Sequence, residues 1–375
     1  MSKKNKKNKK NIPNIPNIPN SFYITDTRLL FFDIFYKNNK IYLIMPIYNK
    51  PANPLQITII VNKSELSLSE SFVKDSNEPA LIYVYNVPSV NSEIASEIEV
   101  EVTCCEITKT YTLSHIIAPT PTTPTTPTTP RQHFLTLATL FQNDYTIFPL
   151  FYNYYKSQGV SHFYMYYNGV ITKQIKDFFA KYSSDIVTLI EWNFHYWNPR
   201  TFKYPHHAQP AQIHHAIYRY GKSMSEYMIS CDLDEYLHIP VQVDNNKENN
   251  KDGYGIDLTL KKYIDSHRDI DIFGFCNIWA TTLDNKYPIE PVLPDKILTV
   301  ESINPYKDRS KNIYKVDSIQ TVGIHQVGES EPASFNENLK SIADLQMYHF
   351  YNWSRGARTI ENCNIIVSPP TAPSS

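Results

Sequence analysis

The first third of the chain alternates apolar and polar residues in short bursts. The bursts cover residues 29–36, 41–48, 55–61, 81–87, 97–103 and 108–116. A period of two is typical of half-buried β-strands, and helical periodicity is missing here. The pattern therefore predicts a small all-β sandwich over residues 21–117. Because no cluster of acids, histidines or nucleophiles stands out in it, we interpret this part as a spacer or docking module sooner than as a carbohydrate-binding one.

From residue 131 onward, apolar strands alternate with amphipathic helices. The pattern predicts strands at residues 134–140, 162–168, 186–192 and 227–231, and helices at residues 146–159, 172–182 and 211–222. Strand–helix alternation is typical of α/β domains in which neighbouring strands are parallel. We therefore expect an α/β domain with a mixed, mainly parallel sheet over residues 131–367, with a less regular order after residue 240.

Low-complexity segments flank and separate the two predicted domains. Residues 1–20 combine a Lys/Asn tail with Asn-Ile-Pro repeats, and residues 368–375 are rich in Pro and Ser. Both segments are predicted to be disordered, because they bury too little apolar surface to offset the entropy lost on folding. Residues 118–130 repeat Thr and Pro, which favours an extended polyproline II linker between the domains.

Composition and charge exclude several classes of function. The 36 basic and 37 acidic residues leave a net charge of −1, so we expect no nucleic-acid partner. The five scattered cysteines are typical of reduced thiols, and no cysteine or acid completes a zinc site with the histidine pairs at residues 206–207 and 214–215. No apolar run reaches the roughly 20 residues of a membrane span, and no signal-peptide core follows the basic start. We therefore expect a soluble, cytoplasmic protein without a membrane span.

Three acids follow the apolar run of residues 227–231. Along a continuing strand Asp232 and Asp234 point the same way. They would do so at a carboxyl end, where open α/β sheets bind ligands. Two carboxylates suit Mg²⁺ or Mn²⁺, and such an ion neutralises the charge of a leaving nucleoside diphosphate. A D-x-D motif is common by chance, so its function depends on the surrounding sequence.

A series of ordered landmarks supplies that context. They are the strand followed by residues 141–145, the segment 162–169, Gln212, the acidic segment 232–236, the run 311–327 that contains His325, and the segment 349–354. In this order they resemble the GT-A type glycosyltransferases, and more narrowly glycosyltransferase family 92 and its bacterial relatives, over roughly residues 134–356. Gln142, Asp144 and Tyr167 depart from the residues of the family pattern.

The resemblance implies a GT-A fold and a metal-dependent sugar transfer. The donor would be a UDP-linked sugar such as UDP-galactose, the acceptor a hydroxyl of a glycan or sugar, and the stereochemical outcome inversion. Asp234 would bind Mn²⁺ or Mg²⁺ directly, with His325 or His349 as a further ligand, and we favour His325. Asp232 would bind the metal through water or hold the donor ribose. The remaining donor-binding candidates are Asn143, Asp144, Asn168, Gln212, Lys311 and Lys315.

An inverting transfer also needs a general base for the acceptor hydroxyl. Asp284, Glu290 and Glu191 are candidates, and Asp284, in the loop after residues 273–282, is our choice. Trp192 and Trp197 could stack on a sugar ring, but buried aromatic residues are an equally good interpretation.

Three other functions use similar acids. A haloacid-type phosphohydrolase needs Thr or Val where Tyr236 stands, so we disfavour it. A nucleotidyltransferase would consume a nucleoside triphosphate and release pyrophosphate. A catalytically degenerate glycosyltransferase fold used for glycan binding or assembly is the strongest alternative. Hydrolysis of a nucleotide-sugar with and without Mn²⁺ separates these functions.

Overall fold

The computed structural model describes most of both predicted domains. The described residues are 17–46, 55–73, 81–88, 95–116, 131–199, 207–239, 258–281, 298–302, 309–325, 340–350 and 365–367. The Thr/Pro segment and the candidate bases Asp284 and Glu290 lie outside these ranges. Among the residues that the structure describes, none of the helices has both the length and the apolar character of a membrane span.

The first part of the chain folds into antiparallel strands, three of which, at residues 22–25, 64–66 and 68–73, lie outside the predicted bursts. The strands are β1 (Phe22–Thr25), β2 (Arg28–Phe31), β3 (Asp33–Lys37), β4 (Lys40–Met45), β5 (Thr58–Val61), β6 (Ser64–Leu66), β7 (Leu68–Val73), β8 (Leu81–Asn86), β9 (Glu97–Cys104) and β10 (Ile107–Ser114). Strands β3-β4-β8-β7 form one sheet, and strands β10-β9-β5-β6 form another. Tyr36 and Leu43 from the first sheet and Ile59 and Val100 from the second belong to one apolar core.

The second part alternates strands and helices around one large sheet. Its strands are β11 (His133–Phe141), β12 (His162–Tyr167), β13 (Val187–Glu191), β14 (Ser225–Ser230), β15 (Glu235–His238), β16 (Ile272–Thr281), β17 (Leu298–Ser302), β18 (Lys311–Lys315), β19 (Ser341–Phe350) and β20 (Ile365–Val367). Its helices are α1 (Phe148–Ser157), α2 (Lys173–Phe179), α3 (Ala208–His215), α4 (Lys222–Met224) and α5 (Leu260–Ser266). A 3-10 turn (Tyr145–Ile147) precedes α1, and a π-helical segment (Ala216–Gly221) joins α3 to α4.

The sheet is mixed, and its two halves differ. In the order β13-β12-β11-β14 all neighbours are parallel. Beyond β14 the neighbours β18, β16, β17 and β20 alternate in direction, and only β16 and β19 form a further parallel pair within the described strands. The predicted mainly parallel sheet is therefore corrected to a parallel half joined to a mostly antiparallel half. The less regular sequence after residue 240 corresponds to this second half.

The strand order creates a crevice between β11 and β14. The chain runs outward through β11, β12 and β13 and then returns to the other side of β11 as β14. At such a reversal the connections leave in opposite directions, so the carboxyl ends of the two central strands border an open space where α/β sheets bind ligands. The residues after β11 and after β14 are therefore the ones that this fold brings to a site.

Helices α1, α2 and α5 cover one face of the large sheet. Phe148, Phe151 and Phe179 from these helices pack with strand residues such as Leu137 and Phe163. Helix α1 ends before Gly159, whose φ of +96° favours glycine. A Cβ at Gly159 would also lie only 2.4 Å from the Cβ of Lys261 in α5. This glycine therefore both ends α1 and lets α5 approach.

The other face of the sheet packs against α3, the π-helical segment and the first part of the chain. Phe32 stacks on Trp192 with ring centroids 5.7 Å apart, and Phe35 belongs to the same buried cluster as Tyr166 and Ile217. The predicted boundaries at residues 117 and 131 remain predictions. The two parts nevertheless share a continuous apolar core, because the parallel half of the sheet would otherwise expose one face to water.

A buried ion pair crosses this contact. Asp33, fully buried, accepts hydrogen bonds from the His215 Nε2 and Arg219 Nη1 atoms, both at 2.8 Å. Since a carboxylate only accepts, Nε2 of His215 carries the proton and Nδ1 accepts from the Tyr166 hydroxyl at 2.7 Å. Burial raises the pKa of Asp33, but Arg219 and His215 together hold it below its usual value.

Residues 17–20 contact the body of the protein, unlike the disorder predicted for them. Asn17 bonds to the edge strand β13: its N–H donates to the Leu189 carbonyl at 3.1 Å, and its carbonyl accepts from the Glu191 N–H at 2.9 Å. The Asn20 N–H donates to Asp33 Oδ1 at 2.6 Å. The sequence gives no hint of these bonds, because they are made by the backbone and depend on the position of distant strands.

Candidate active site

Three acids lie where β14 ends, at the predicted edge of the sheet. β14 stops at Ser230, Leu233 and Asp234 form a turn, and β15 begins at Glu235. The Asp232 N–H donates to Glu235 Oε2 at 2.7 Å, and the Glu235 N–H donates to the Asp232 carbonyl at 3.1 Å. The expected continuing strand is thus corrected to a turn, and strand alternation does not direct the carboxylates. Asp234 is buried, whereas the Asp232 side chain is 32% exposed.

Lys311 is the buried cation of this site. β18 runs antiparallel to β14 with Asn312 opposite Ser230, so the first residue of β18 reaches the end of β14. Lys311 Nζ lies 3.1 Å from Asp232 Oδ2 and 3.3 Å from Glu235 Oε2. Burial by itself lowers the pKa of Lys311, but the two carboxylates outweigh burial and raise it. Lys311 is therefore a permanent positive charge held among the acids.

Two carboxyl groups near Lys311 have raised pKa values. Burial raises the pKa of Glu235 more than Lys311 lowers it. On the other side of the crevice, after β11, burial and then the charge of Asp234 raise the pKa of Asp144 to about 6. Carboxylates whose pKa rises in this way stabilise a bound cation, because the cation favours their charged forms.

His349 completes the cluster from β19. β15 pairs with β19, and Glu235 lies opposite His349. His349 Nε2 is 3.5 Å from Asp234 Oδ2, and Nδ1 is 3.7 Å from Glu235 Oε1. Trp279 stacks on the imidazole with ring centroids 4.5 Å apart and fixes its plane. Among the described residues, His349 Nδ1 and Glu235 Oε1 are buried without a hydrogen-bond partner. Such buried polar atoms destabilise the folded state unless a ligand supplies the missing hydrogen bond.

Asp234 and His349 bring together two side chains of types that can bind a divalent cation. Ligands of a six-coordinate Mg²⁺ lie about 2.1 Å from the ion, so neighbouring ligands are about 3 Å apart. The Asp234 Oδ2 and His349 Nε2 atoms, 3.5 Å apart, are close to this spacing. Within the described ranges no group of three or more His, Cys, Asp or Glu side chains is arranged to hold a metal ion. A cation here would therefore take its other ligands from water or a phosphate.

Lys315 lies away from the acids, whereas His325 contacts the residue that precedes Lys311. Lys315 is at the opposite end of β18, where its ammonium donates to the Arg268 carbonyl at 3.0 Å. Its distance from the cluster follows from the strand, which carries successive residues away from the edge. The His325 carbonyl accepts from Ser310 Oγ at 3.1 Å. His325 thus lies near the residue before Lys311, while His349 makes the direct contacts to the acids.

The asparagines predicted to bind the donor lie along the same edge with different contacts. Asn143 is exposed in the turn after β11. The Asn168 amide donates to the carbonyls of Trp192 and Phe194 at 2.9 and 2.8 Å. Asn168 therefore holds the end of β12 to the segment after β13, which supports the edge.

A glutamine of α3 that the sequence analysis did not single out, Gln209, contacts the acids, and the role of Gln212 in donor binding stays a prediction. Gln209 Nε2 donates to Asp232 Oδ1 at 3.1 Å, and the Tyr196 hydroxyl donates to Gln209 Oε1 at 2.8 Å. Gln212 is buried one turn later, and its Nε2 has no hydrogen-bond partner among the described residues. Sequence reasoning missed Gln209. Its spacing of three from Gln212, which places both on one side of a helix, is the signal that could have found it.

The remaining candidates have structural contacts or lie at the rim. Glu191 Oε2 accepts the Ile171 N–H at 2.8 Å, which holds the loop after β12. Trp192 is fully buried, and its Nε1 donates to the Ala208 carbonyl at 3.0 Å. Trp197 is 40% exposed. Of the two tryptophans considered for sugar stacking, only Trp197 keeps an accessible surface.

Comparison with known proteins gives one strong match. The sequence model described as glycosyltransferase family 92 matches residues 132–371, which is well over half of the chain. No curated protein matches the chain. Among solved structures, an amylomaltase from Corynebacterium glutamicum aligns at 7% identity with a TM-score of 0.15, over 36% of this chain and 20% of that one. This alignment spans only a fifth of the amylomaltase and is too weak to carry an argument.

Proposed function

Since the chain belongs to glycosyltransferase family 92 and is a glycosyltransferase, we propose that it transfers a sugar from a UDP-linked donor with the help of Mn²⁺ or Mg²⁺. The acceptor is a hydroxyl of a glycan or sugar, and the transferred sugar is galactose, as the family resemblance implies. One observation carries the metal dependence. Asp234 Oδ2 and His349 Nε2 lie 3.5 Å apart, beside Glu235 and Asp144, whose pKa values are raised.

The fold supports a division of labour along the sheet edge. The parallel strands β11, β12 and β13 form the half of the sheet that binds mononucleotides in doubly wound folds. We therefore assign the nucleoside to the ends of these strands, near Asn143, Asp144 and Asn168. The diphosphate then lies near Asp234 and His349, which would hold the cation. When bound, that cation would offset the negative charge that develops on the leaving diphosphate.

Lys311 and Gln209 act on this site through Asp232. Lys311 is tied to Asp232 and Glu235, so it neutralises acids that would otherwise repel the diphosphate. Gln209 holds the second oxygen of Asp232, which leaves the Asp232 carboxylate fixed for the ribose or for a metal-bound water. Such fixed charges need no reorganisation as the reaction proceeds.

An inverting displacement needs a base on the face of the sugar opposite the leaving diphosphate. Glu191 is engaged by the Ile171 N–H and belongs to the half of the sheet assigned to the nucleoside. We therefore retain Asp284 as the proposed base.

Titration calorimetry tests the proposal directly. UDP should bind in the presence of Mn²⁺, and EDTA should abolish binding. His349→Ala should weaken Mn²⁺-dependent binding of UDP, and His325→Ala, matched in residue type, should weaken it less. Equal binding of UDP in EDTA would remove the metal from the proposal. Tight metal-dependent binding of UDP without any hydrolysis or transfer from UDP-galactose would instead support a glycan-binding or assembly role.

A further inference from the structure

One face of β16 changes from apolar to polar as the strand reaches the site. Phe273 and Phe275 point into the core under the helices, and Trp279 stacks on His349. Because side chains alternate along a strand, Asn277 belongs to this same face, between Phe275 and Trp279. The face that forms the core therefore continues into the wall of the site, and Asn277 is the first polar position on it.

Asn277 is buried with an unused hydrogen-bond acceptor. Its exposed fraction is 4%, and its Oδ1 has no hydrogen-bond partner among the described residues. A buried amide oxygen without a partner is destabilising, and such groups are rare in folded proteins. A leucine of similar size would pack there without that penalty, so the fold alone gives no reason for an asparagine.

The neighbouring strand adds a cation to the same wall. β16 pairs with β18 so that Phe275 lies opposite Lys311. Continuing that register outward brings Arg309 alongside Asn277. The exposed Arg309 guanidinium lies 5.3 Å from the centre of the Trp279 ring, a cation–π arrangement that holds it at the rim. Asn277 and Arg309 together form a wall that offers a hydrogen-bond acceptor and hydrogen-bond donors to a polyhydroxylated ring.

The strand order indicates which part of a bound nucleotide-sugar would lie beside this wall. β16 lies beyond β14 and β18, on the side away from β11, β12 and β13. A nucleoside over the parallel strands with its diphosphate beside Asp234 and His349 continues toward β16. The group attached to the far phosphate is the sugar. The Asn277 wall therefore faces the sugar and not the nucleoside.

From these contacts we infer that Asn277 binds a hydroxyl of the transferred sugar and selects the donor by it. The sugar hydroxyl donates its hydrogen to Asn277 Oδ1, which satisfies the buried acceptor. A site built to hydrogen-bond a substrate hydroxyl rejects an analogue that lacks it far more strongly than an apolar pocket rejects an extra group. This inference rests on the proposed function, and the subsite deepens that function by naming a residue that recognises the sugar.

The test compares binding of UDP with binding of UDP-galactose and its monodeoxy analogues, in Mn²⁺, by calorimetry. Asn277→Leu should bind UDP as the wild type does. It should lose about tenfold of the affinity for UDP-galactose, the value of one neutral hydrogen bond. The variant should also no longer distinguish UDP-galactose from the one deoxy analogue that the wild type rejects. Asn277→Asp, which keeps an acceptor oxygen, should retain that discrimination.

Asn312→Leu is the matched control. Asn312 is also buried with an Oδ1 that lacks a partner among the described residues, but its Nδ2 donates to Tyr314, away from the acids. This variant should leave the ratio of the affinities for UDP-galactose and UDP unchanged.

An unchanged ratio in Asn277→Leu, or a wild type that binds every deoxy analogue as well as UDP-galactose, would overturn the inference while the proposed function stands. Loss of UDP binding in both Asn277 variants would give Asn277 a structural role only. A wild type that binds no UDP would overturn the proposed function and the inference together.

Discussion

Among the described residues, two clusters each combine at least one carboxylate with a histidine and a cation, but only the site cluster contains buried atoms without a hydrogen-bond partner in that part of the chain. The interface cluster joins the first part of the chain to the sheet and consists of Asp33, His215 and Arg219. The site cluster lies at the end of β14 and consists of Asp232, Asp234, Glu235, Lys311 and His349. The same residue types therefore serve two different purposes.

In the interface cluster one carboxylate meets several donors. Asp33 accepts from Asn20, His215 and Arg219 at 2.6 to 2.8 Å, and His215 accepts from Tyr166. Burial and the adjacent Arg219 keep His215 neutral by lowering its pKa, although Asp33 opposes them. One negative and one positive charge remain, so nothing further is needed to neutralise the cluster. Such a pair orients the packed parts and leaves no acceptor for a ligand.

In the site cluster Lys311 contacts two of the three carboxylates, Asp232 and Glu235. Glu235 Oε1 and His349 Nδ1 are buried without hydrogen bonds among the described residues, and they lie 3.7 Å apart. The pKa values of Glu235 and of the neighbouring Asp144 are raised. Perturbed carboxyl groups of this kind mark functional sites more often than structural ones. The two clusters therefore differ in their buried groups without hydrogen bonds among the described residues, and not in their residue types.

The largest effect is expected from removing the first part of the chain. Deleting residues 1–130 would remove Phe32 and Phe35, would expose Tyr166, Trp192 and Ile217 of the same buried cluster, and would leave Arg219 without Asp33. We expect the remaining chain to be insoluble, because a sheet face of this size cannot stay in water. Expression followed by light scattering and thermal melting checks this. A soluble, cooperatively melting fragment that binds UDP would show that the interface is dispensable.

A smaller loss is expected from Asp33→Asn, which keeps the shape of the interface cluster and removes its negative charge. Because Arg219 would be left without its partner, the free energy of unfolding should fall by about 3 kcal/mol or more. The pKa of Asp33 is lowered in the folded state, so its contribution is present above the unfolded pKa and is lost as the pH falls through the folded pKa. The difference between variant and wild type should therefore shrink in acid.

Urea unfolding at several pH values measures this difference. Asp26→Asn is the matched control, because Asp26 is exposed in the turn between β1 and β2, and it should change the free energy of unfolding little. A loss for Asp33→Asn that is independent of pH would contradict the assigned ion pair.

The site cluster should respond in the opposite way to the same change. Asp234→Asn should lower turnover roughly 100-fold or more, as expected for loss of one pre-organised charge. It should not lower the melting temperature, because it relieves repulsion with Glu235 and Asp144. Asp232→Asn is the informative comparison: Lys311 and Gln209 both bind Asp232, so this variant should lose stability as well. Unchanged turnover of Asp234→Asn at saturating Mn²⁺ would exclude Asp234 as a metal ligand.

The sequence predicted most strands of the first part and the strands β11 to β14, because their alternation or apolar character is local. It did not predict β15 to β20, which follow the less regular sequence after about residue 235. It also placed Asp232 and Asp234 at a strand end, since the apolar run before them is plain. The sequence could not predict the direct contacts of His349 and Gln209 with the acids. These contacts depend on which strand pairs with β15 and on how α3 lies against the turn. The shared core was hidden for the same reason. Phe32 and Trp192 are separated by the whole linker, and only the fold shows that they stack.

The smallest effect is expected at Lys37, a second cation of the interface. Lys37 is buried, and its ammonium donates to the Tyr218 carbonyl at 2.7 Å. Burial, and then the charges of Lys222 and Arg131, lower the pKa of Lys37 to about 7. The unfolded chain, with a lysine pKa near 10.4, therefore binds a proton that the folded chain lacks between about pH 7 and 10. Stability should rise with pH across this window, and the cost of charging Lys37 should be fully present below about pH 7.

Lys37→Met removes that cost together with the bond to Tyr218. The variant should be more stable than the wild type at pH 7 by roughly 1 to 2 kcal/mol, less than the full pKa shift implies because one hydrogen bond is lost. The advantage should vanish toward pH 10, where the wild-type lysine is neutral in the folded state. Lys176→Met, at an exposed position of α2, controls for the added apolar group and should show no such pH dependence. Urea unfolding from pH 7 to pH 10 measures this difference. If the free energies of unfolding of Lys37→Met and the wild type differ by a constant amount across this range, Lys37 stays charged at the interface. The Tyr218 carbonyl would then be enough to stabilise the buried cation.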